Sequence, residues 1–172
     1  MRRKLSIAVI IIVCFLLQST VFKSLAIASI SPNLLVVVTA AFGFMRGQKE
    51  GLFVGFFCGL IVDLTFGSVL GFYALIYMFI GFTNGFFKRI FFPDDIRLPI
   101  ALIALSDFCC NLVIYFIWFW FRSRFSFGYY LLHTIIPELV YTMLVAILLY
   151  FILLKINQKL EAIEKKSETK FS

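Results

Sequence analysis

Three carboxylic acids, Asp63, Asp107 and Glu138, lie inside long apolar stretches of this chain. A charged side chain at the centre of a membrane helix costs roughly 2.5–3.5 kcal/mol, so each acid needs a compensating role. It can link helices by hydrogen bonds, or it can bind a substrate or a proton. Catalysis would also require a nucleophile, a base and an orienting group within mutual reach, and the sequence supplies no such set. We therefore predict no enzymatic activity and leave the other roles open.

The neighbours of Asp107 and Glu138 are polar at helical spacing. Asn111 follows Asp107 by four residues, while Thr134 and Thr142 lie four residues to either side of Glu138. Residues four apart share one face of a helix, so each acid has a hydrogen-bonding neighbour on its own helix. Asp107, Asn111 and Glu138 are therefore predicted to be buried polar positions within a helical bundle.

No metal or cofactor site is predicted. The single histidine, His133, has no second histidine or cysteine at ligand spacing. The four cysteines lie in apolar segments, where neither a disulfide framework nor a zinc site fits their spacing. We expect them to be packing residues.

Glycine is concentrated in one part of the chain, since nine of the ten glycines lie between positions 43 and 85. A glycine inside a helix costs roughly 1 kcal/mol relative to alanine, and small residues four apart let membrane helices approach closely. Seven glycines share one four-residue register whose single gap is filled by Asp63: Gly43, Gly47, Gly51, Gly55, Gly59, Gly67 and Gly71. With Gly81 and Gly85 on the next helix, they predict a packing face. That face meets a helix of the same chain or, alternatively, another membrane protein.

The composition identifies the surroundings of the chain. With 62% apolar residues and a mean hydropathy of +1.02, there is too little polar surface to cover a water-soluble domain. Long apolar runs with short breaks favour helices over a barrel. We predict an all-α membrane protein, a single bundle of six transmembrane helices near 5–27, 32–45, 51–66, 69–87, 98–121 and 129–155. The second and third are shorter than the roughly 20 residues of a full span. Residues 156–172 form a basic tail into which the sixth helix can continue.

The basic residues predict the orientation. If the N-terminus is cytoplasmic, 13 of the 16 lysines and arginines lie on the inner side, and only Lys23, Arg122 and Arg124 lie outside. This asymmetry predicts six spans with both termini in the cytoplasm. The net charge of +7 is then a membrane-surface property, and no nucleic-acid partner is expected. A cleaved signal peptide ending near Ala26-Ile27-Ala28 is the alternative for the first segment, and we favour its retention as a span.

Several short motifs follow one another in a characteristic order. They are Ser31-Pro32-Asn33-Leu34-Leu35, Arg46-Gly47, Glu50-Gly51, Gly55-Phe56, Gly59-Leu60, Asp63, Gly67, Leu70-Gly71, Tyr77 and Gly81, with Pro137-Glu138-Leu139-Val140-Tyr141 later. In this order and spacing they resemble the bacterial rod shape-determining protein MreD family. The size, the six predicted spans and the basic cytoplasmic ends are similar as well.

That resemblance implies a non-enzymatic subunit of the cell-elongation machinery in the bacterial cytoplasmic (inner) membrane. The implied partners are the bitopic protein MreC, the MreB filament, a RodA-type glycosyltransferase, a class B penicillin-binding transpeptidase and membrane lipids. Asn33 and Arg46 match signature positions of the family, together with Asp63 and the glycines of the register. We interpret these positions as structural and docking residues.

The family fold is also similar to the substrate-binding S component of energy-coupling-factor vitamin transporters. This likeness gives an alternative function, a small-molecule binding subunit with Asp63, Asn111, His133 or Glu138 as ligand contacts. The first helix here lacks the A-x-x-x-A pattern through which an S component usually docks, and the predicted outer half of the bundle is poor in polar groups.

Overall fold

The helices follow one another with short connections in the computed structural model, which describes residues 2–22, 24, 30–67, 69–90, 96–122 and 127–168. The first four helices are α1 (Arg2–Leu16), α2 (Leu34–Arg46), α3 (Gln48–Phe66) and α4 (Phe72–Gly85). A π-helical turn, Leu17–Phe22, follows α1, and a 3-10 turn, Phe86–Ile90, follows α4. The remaining three are α5, Arg97–Arg122; α6, Phe127–Tyr130, followed by a second π-helical turn, Leu131–Ile135; and α7, Ile136–Glu168.

Three stretches among the described residues are long and apolar enough to cross a membrane. They are Lys4–Phe22, Arg97–Ile117 and Gly128–Ile163, and α2 is a shorter apolar helix. The protein is therefore an all-α membrane protein, as its composition predicts. Whether all six predicted segments span the bilayer stays a prediction.

The helix bounds differ from the predicted ones at several places. Helices α2 and α4 begin at Leu34 and Phe72, two and three residues later than predicted. The first helical segment, predicted to reach 27, is described as helix to Phe22, and most of the following residues lie outside the described part of the chain. Helix α3 begins at Gln48, three residues earlier than predicted, because Gly47 alone separates it from α2. The sixth predicted helix continues from α7 through residues 156–168 of the expected tail. At 1.5 Å per residue α7 is roughly 50 Å long and exceeds the roughly 30 Å hydrocarbon core.

Helix α2 is the centre of the bundle. Every residue from Leu34 to Met45 is buried, and α2 contacts α1, α3, α4, α5 and α7. Its N-terminus receives a polar partner from the first π-helical turn, because the Gln18 side-chain oxygen accepts the Leu35 N–H at 3.2 Å. An unsatisfied helix-terminal donor inside the bundle is thereby avoided.

The outer surface of the bundle is apolar. On α3 and α4 the exposed side chains include Phe53, Phe57, Leu64, Leu75 and Phe79. Exposure of this kind is ordinary where the surrounding solvent is hydrocarbon rather than water.

Candidate functional site

Helices α3 and α4 pack backbone against backbone. A Cβ atom at Gly55 would lie 2.6 Å from the Tyr77 carbonyl carbon, and one at Gly59 would lie 2.5 Å from the Ala74 nitrogen. Real Cβ atoms essentially never approach other atoms closer than 3.0 Å, so neither position accepts a side chain without movement of α4. Glycine at these positions is thus required by close helix packing.

Three glycines meet where α2, α3 and α4 converge. A Cβ at Gly43 of α2 would lie 2.5 Å from the Gly81 carbonyl oxygen of α4, and one at Gly51 of α3 would lie 2.7 Å from the Gly43 Cα. Gly85 lies one turn further along α4, where a Cβ would be 2.7 Å from the Gly47 carbonyl carbon. The structure therefore brings these glycines together within the chain.

Two other glycines of the register, Gly67 and Gly71, do not belong to this contact, whereas Gly47 takes part in it through its backbone, which faces Gly85. Gly47 and Gly71 have φ angles of +103° and +96°, a region that L side chains rarely adopt, and each occupies a turn. A Cβ at Gly71 would meet nothing within 4 Å, and the atoms nearest to one at Gly67 belong to the backbone of Asp63 in the preceding helix. The expectation that all seven share one packing face is wrong for Gly67 and Gly71, because the register leaves α3 and enters the turn before α4.

Asp63 closes the end of the α3–α4 pair. Its side chain is 3% exposed and accepts three backbone N–H groups: Oδ2 accepts those of Gly71 and Ala74 at 3.0 and 2.9 Å, and Oδ1 accepts that of Tyr73 at 2.9 Å. The first N–H groups of a helix have no partner within it and favour negative charge. Asp63 therefore caps the N-terminus of α4 from the preceding helix.

A chain of hydrogen bonds links α4, the start of α2 and α7. The Tyr77 hydroxyl donates to Asn33 Oδ1 at 2.9 Å, and the Asn33 N–H donates to Thr142 Oγ1 at 3.2 Å. Tyr77 and Thr142 are buried. The Thr142 hydroxyl retains its proton for a further acceptor, since it accepts in this bond.

Asp107 lies beside this chain on α5 and is 0% exposed. Its polar side-chain neighbours are the Thr142 hydroxyl and the Glu138 carboxyl group, which is within electrostatic range. Neither Asp107 oxygen has a hydrogen-bond partner of normal geometry among the described residues. Asn111, also buried on α5, donates to the Asp107 carbonyl at 3.2 Å and interacts with Glu138. The three predicted polar positions are thus neighbours.

Two further polar contacts hold other helices together. Arg46, the last residue of α2, donates from Nε to Asn157 Oδ1 of α7, and Asn157 donates in turn to Glu161 at 3.0 Å. Asn84 of α4 donates to Ser106 Oγ of α5 at 2.7 Å. Asn157, Asn84 and Ser106 are buried.

The glycine contacts therefore join α2, α3 and α4, and the polar contacts join this group to α5 and α7, with Asn33, Arg46, Tyr77 and Gly81 taking part. A family model described as rod shape-determining protein MreD matches residues 1–160 of the 172-residue chain. The chain belongs to the MreD family. Membership in MreD places it among shape-determining membrane proteins.

Comparison with curated proteins and with solved structures gives no match. The expected likeness between the MreD fold and the S component therefore stays a prediction. The ligand contacts suggested for that alternative are not brought to one place. Asp63 caps the N-terminus of α4. His133 is exposed, and one of its ring nitrogens lies 3.1 Å from the Tyr129 carbonyl oxygen. Only Asn111 and Glu138 remain adjacent.

Four polar residues that connect helices are not among the positions predicted from the sequence: Gln18, Asn84, Ser106 and Asn157. A signal was present for Gln18, Asn84 and Ser106, because each is an uncharged polar residue within a mainly apolar helical run, whereas Asn157 lies between Lys155 and Lys159. Such residues commonly hydrogen-bond across membrane helices. Carboxylates drew attention instead, since their cost in a membrane is higher.

A double-mutant cycle can test the contact between Arg46 and Asn157 in this chain. A charged hydrogen bond contributes about 1.5–3 kcal/mol, so we expect Arg46→Ala and Asn157→Ala together to destabilise the protein less than the sum of the two single changes. Thermal unfolding of the purified variants in detergent measures the coupling. Additive effects would contradict a direct contact between α2 and α7. Arg46→Ala with Glu161→Ala serves as the control pair, for which we expect a weaker coupling.

Proposed function

We propose that this protein is a non-enzymatic structural subunit of the bacterial cell-elongation complex, and that it supports an MreC-type bitopic protein in the cytoplasmic membrane. One observation carries the proposal beyond family membership. Its polar groups at the buried Asp63 and Asn84 and at the half-buried Asn33 and Arg46 are engaged in fixing helices to one another. A subunit that must present a constant surface to its partners needs such fixed helix positions.

The same helix contacts indicate how the protein meets its partner. The glycines of α3 and α4 are occupied by helices of the same chain, so we propose that they set the positions of these helices without touching the partner. The partner would meet the outward surfaces instead. On α3 that surface includes Phe53 and Phe57, and on α4 it includes Phe79. RodA-type, penicillin-binding and MreB components would join through the complex.

We propose six spans with both termini in the cytoplasm. In support, basic residues collect at one end of the bundle, where a cavity of about 730 Å³ is lined by Arg46, Gly47, Gln48, Lys49, Glu50, Gly85, Phe86, Lys88 and Arg89. Lys155 and Lys159 of α7 lie close in sequence to Asn157, which contacts Arg46. Basic groups at the cytoplasmic surface attract anionic lipid headgroups, at about 1 kcal/mol per residue. Membrane lipids are thus the expected neighbours of this end.

Cysteine crosslinking in intact bacterial membranes tests the proposal. In a background whose four native cysteines are replaced, Phe53→Cys and Phe57→Cys place reactive groups outward on α3, while restoration of Cys58 places one inward on the same helix. We expect a bitopic membrane protein to be captured from an outward position and not from Cys58. Mass spectrometry identifies the captured protein.

Two results would count against the proposal. The first is that no component of the elongation complex is captured from any outward position of α3, α4, α5 or α7. The second is that the purified protein contains a stoichiometric vitamin-like molecule, which would assign it to small-molecule binding instead.

A further inference from the structure

The Asp107 carboxyl group is not explained by the helix contacts described above. It is 0% exposed, yet neither of its oxygens makes a hydrogen bond of normal geometry with a described residue. Buried polar atoms are nearly always paired, and an unpaired one calls for a specific reason. For an ionised carboxylate the cost of burial without a partner is larger still.

A second carboxyl group lies beside it. Glu138 of α7 is within electrostatic range of Asp107 and is only partly buried. Two neighbouring carboxylates repel each other, and the repulsion is stronger at low dielectric. The pair therefore needs at least one positive charge.

Among the residues that the structure describes, no side chain that interacts electrostatically with the pair supplies that charge. The ionisable groups that interact electrostatically with the pair are Tyr73 and Tyr77 of α4, Cys110 of α5 and Tyr130 of α6. None of these is a cation. The remaining polar neighbours, Asn111 and Thr142, are uncharged.

We propose that Asp107, Glu138, Asn111 and Thr142 form a binding site for one monovalent cation, either a proton or an alkali-metal ion. Carboxylate, amide and hydroxyl oxygens are the donors that hard cations prefer. The cation removes the repulsion between the two carboxyl groups and provides the partner that the Asp107 oxygens lack.

The backbone beside Glu138 is irregular, as it is at many functional sites in membrane helices. The π-helical turn Leu131–Ile135 ends where the Ile136 N–H bonds the Leu131 carbonyl, one residue before Pro137. Proline has no N–H to donate, and π-helical turns occur frequently at functional sites. The partly exposed Glu138 and this turn mark the side from which a cation would enter.

Thermal unfolding of the purified full-length protein tests the site. Stability is measured in sodium, potassium and choline chloride at equal ionic strength, and over a pH series in choline chloride. We expect the Tm of the wild type to rise with an alkali-metal ion or with falling pH, by at least about 2–4 °C, which corresponds to roughly 1 kcal/mol. Asp107→Asn, which removes the charge at nearly constant shape, should abolish the dependence and raise the Tm in choline at alkaline pH.

The control is Glu161→Gln, which removes a carboxylate from the same helix outside the pair and should keep the wild-type dependence. Glu138→Gln repeats the test if Asp107→Asn does not accumulate. As an independent readout on the wild type, dicyclohexylcarbodiimide modifies protonated carboxyl groups in apolar surroundings, and mass spectrometry locates the adduct at Glu138 or Asp107.

Each outcome decides between the possibilities. Dependence on sodium or potassium, with protection from the carbodiimide, identifies an alkali-metal ion. Dependence on pH alone, with adduct formation lost as pH rises, identifies a proton. A wild-type Tm that responds to neither, or a response kept in both Asp107→Asn and Glu138→Gln, overturns the proposal. The measurements involve no partner protein, so they are independent of the proposed role in cell elongation.

Discussion

Gly55→Ala is expected to prevent normal accumulation of the protein and to abolish rod shape in cells that depend on it. The added methyl group would lie 2.6 Å from the Tyr77 carbonyl carbon, and backbone atoms of a packed helix cannot move aside as a flexible side chain can. The helices must separate and lose their mutual dispersion contacts. We expect a loss of about 3 kcal/mol, the upper end of the usual cost of overpacking. Membrane protein level, thermal unfolding in detergent and cell shape are the measurements.

The matched control is Gly128→Ala. A Cβ at Gly128 meets nothing within 4 Å, so the same chemical change should be tolerated in level, stability and cell shape. Gly59→Ala should behave like Gly55→Ala, because its Cβ would lie 2.5 Å from the Ala74 nitrogen. Normal stability of both α3 variants would show that α3 and α4 do not pack as described.

Asp63→Leu is expected to be the second strongly damaging change. It leaves the three N–H groups of Gly71, Tyr73 and Ala74 without their acceptor at the start of α4. Unsatisfied buried donors cost about 1–3 kcal/mol each, so we expect a loss of at least about 3 kcal/mol. Asp63→Asn should be less damaging but not neutral, because one of the two oxygens becomes an NH2 group facing an N–H donor.

Thermal unfolding compares the stability of the Asp63 variants, and Thr65→Val is the control. The Thr65 hydroxyl donates to the Ile61 carbonyl of its own helix at 2.6 Å, and no described contact links it to α4. We expect little change in Thr65→Val. Equal losses in Asp63→Asn and Asp63→Leu would indicate that the negative charge itself is required, as in ion coupling. Wild-type stability of Asp63→Leu would contradict the capping role.

Local patterns in the sequence were enough to find the membrane environment, the helical class and most helix positions, because each depends on hydrophobicity and on residues close together in the chain. The π-helical turns at Leu17–Phe22 and Leu131–Ile135 were not predicted. Polar residues and a nearby proline mark these segments only weakly. Their geometry depends on the helices that pack around them.

The glycine register shows why periodicity alone gave a partly wrong site. In the sequence a four-residue repeat can continue unchanged through a turn. In the structure the helix face that the repeat marks ends at the turn. Gly55 and Gly59 contact α4, whereas Gly71 adopts φ +96° next to open space. Likewise, Asp63 appeared in the sequence as a gap in a packing face. The role of Asp63 as the cap of α4 depends on the turn that brings the start of α4 back to Asp63. No rule of residue spacing specifies that turn.

The enclosure of α2 has a consequence for how the chain is assembled in the membrane. With 13 residues α2 is roughly 20 Å long, well short of the roughly 30 Å hydrocarbon layer. In the finished protein this shortfall is not exposed to lipid, since protein surrounds α2 on every side. During synthesis, however, α2 emerges before α5 and α7 exist. In a chain that is interrupted after α4, the flank of α2 that α5 and α7 would cover is therefore exposed to lipid. The last two long helices therefore complete the enclosure of α2, which the first four helices leave open on that flank.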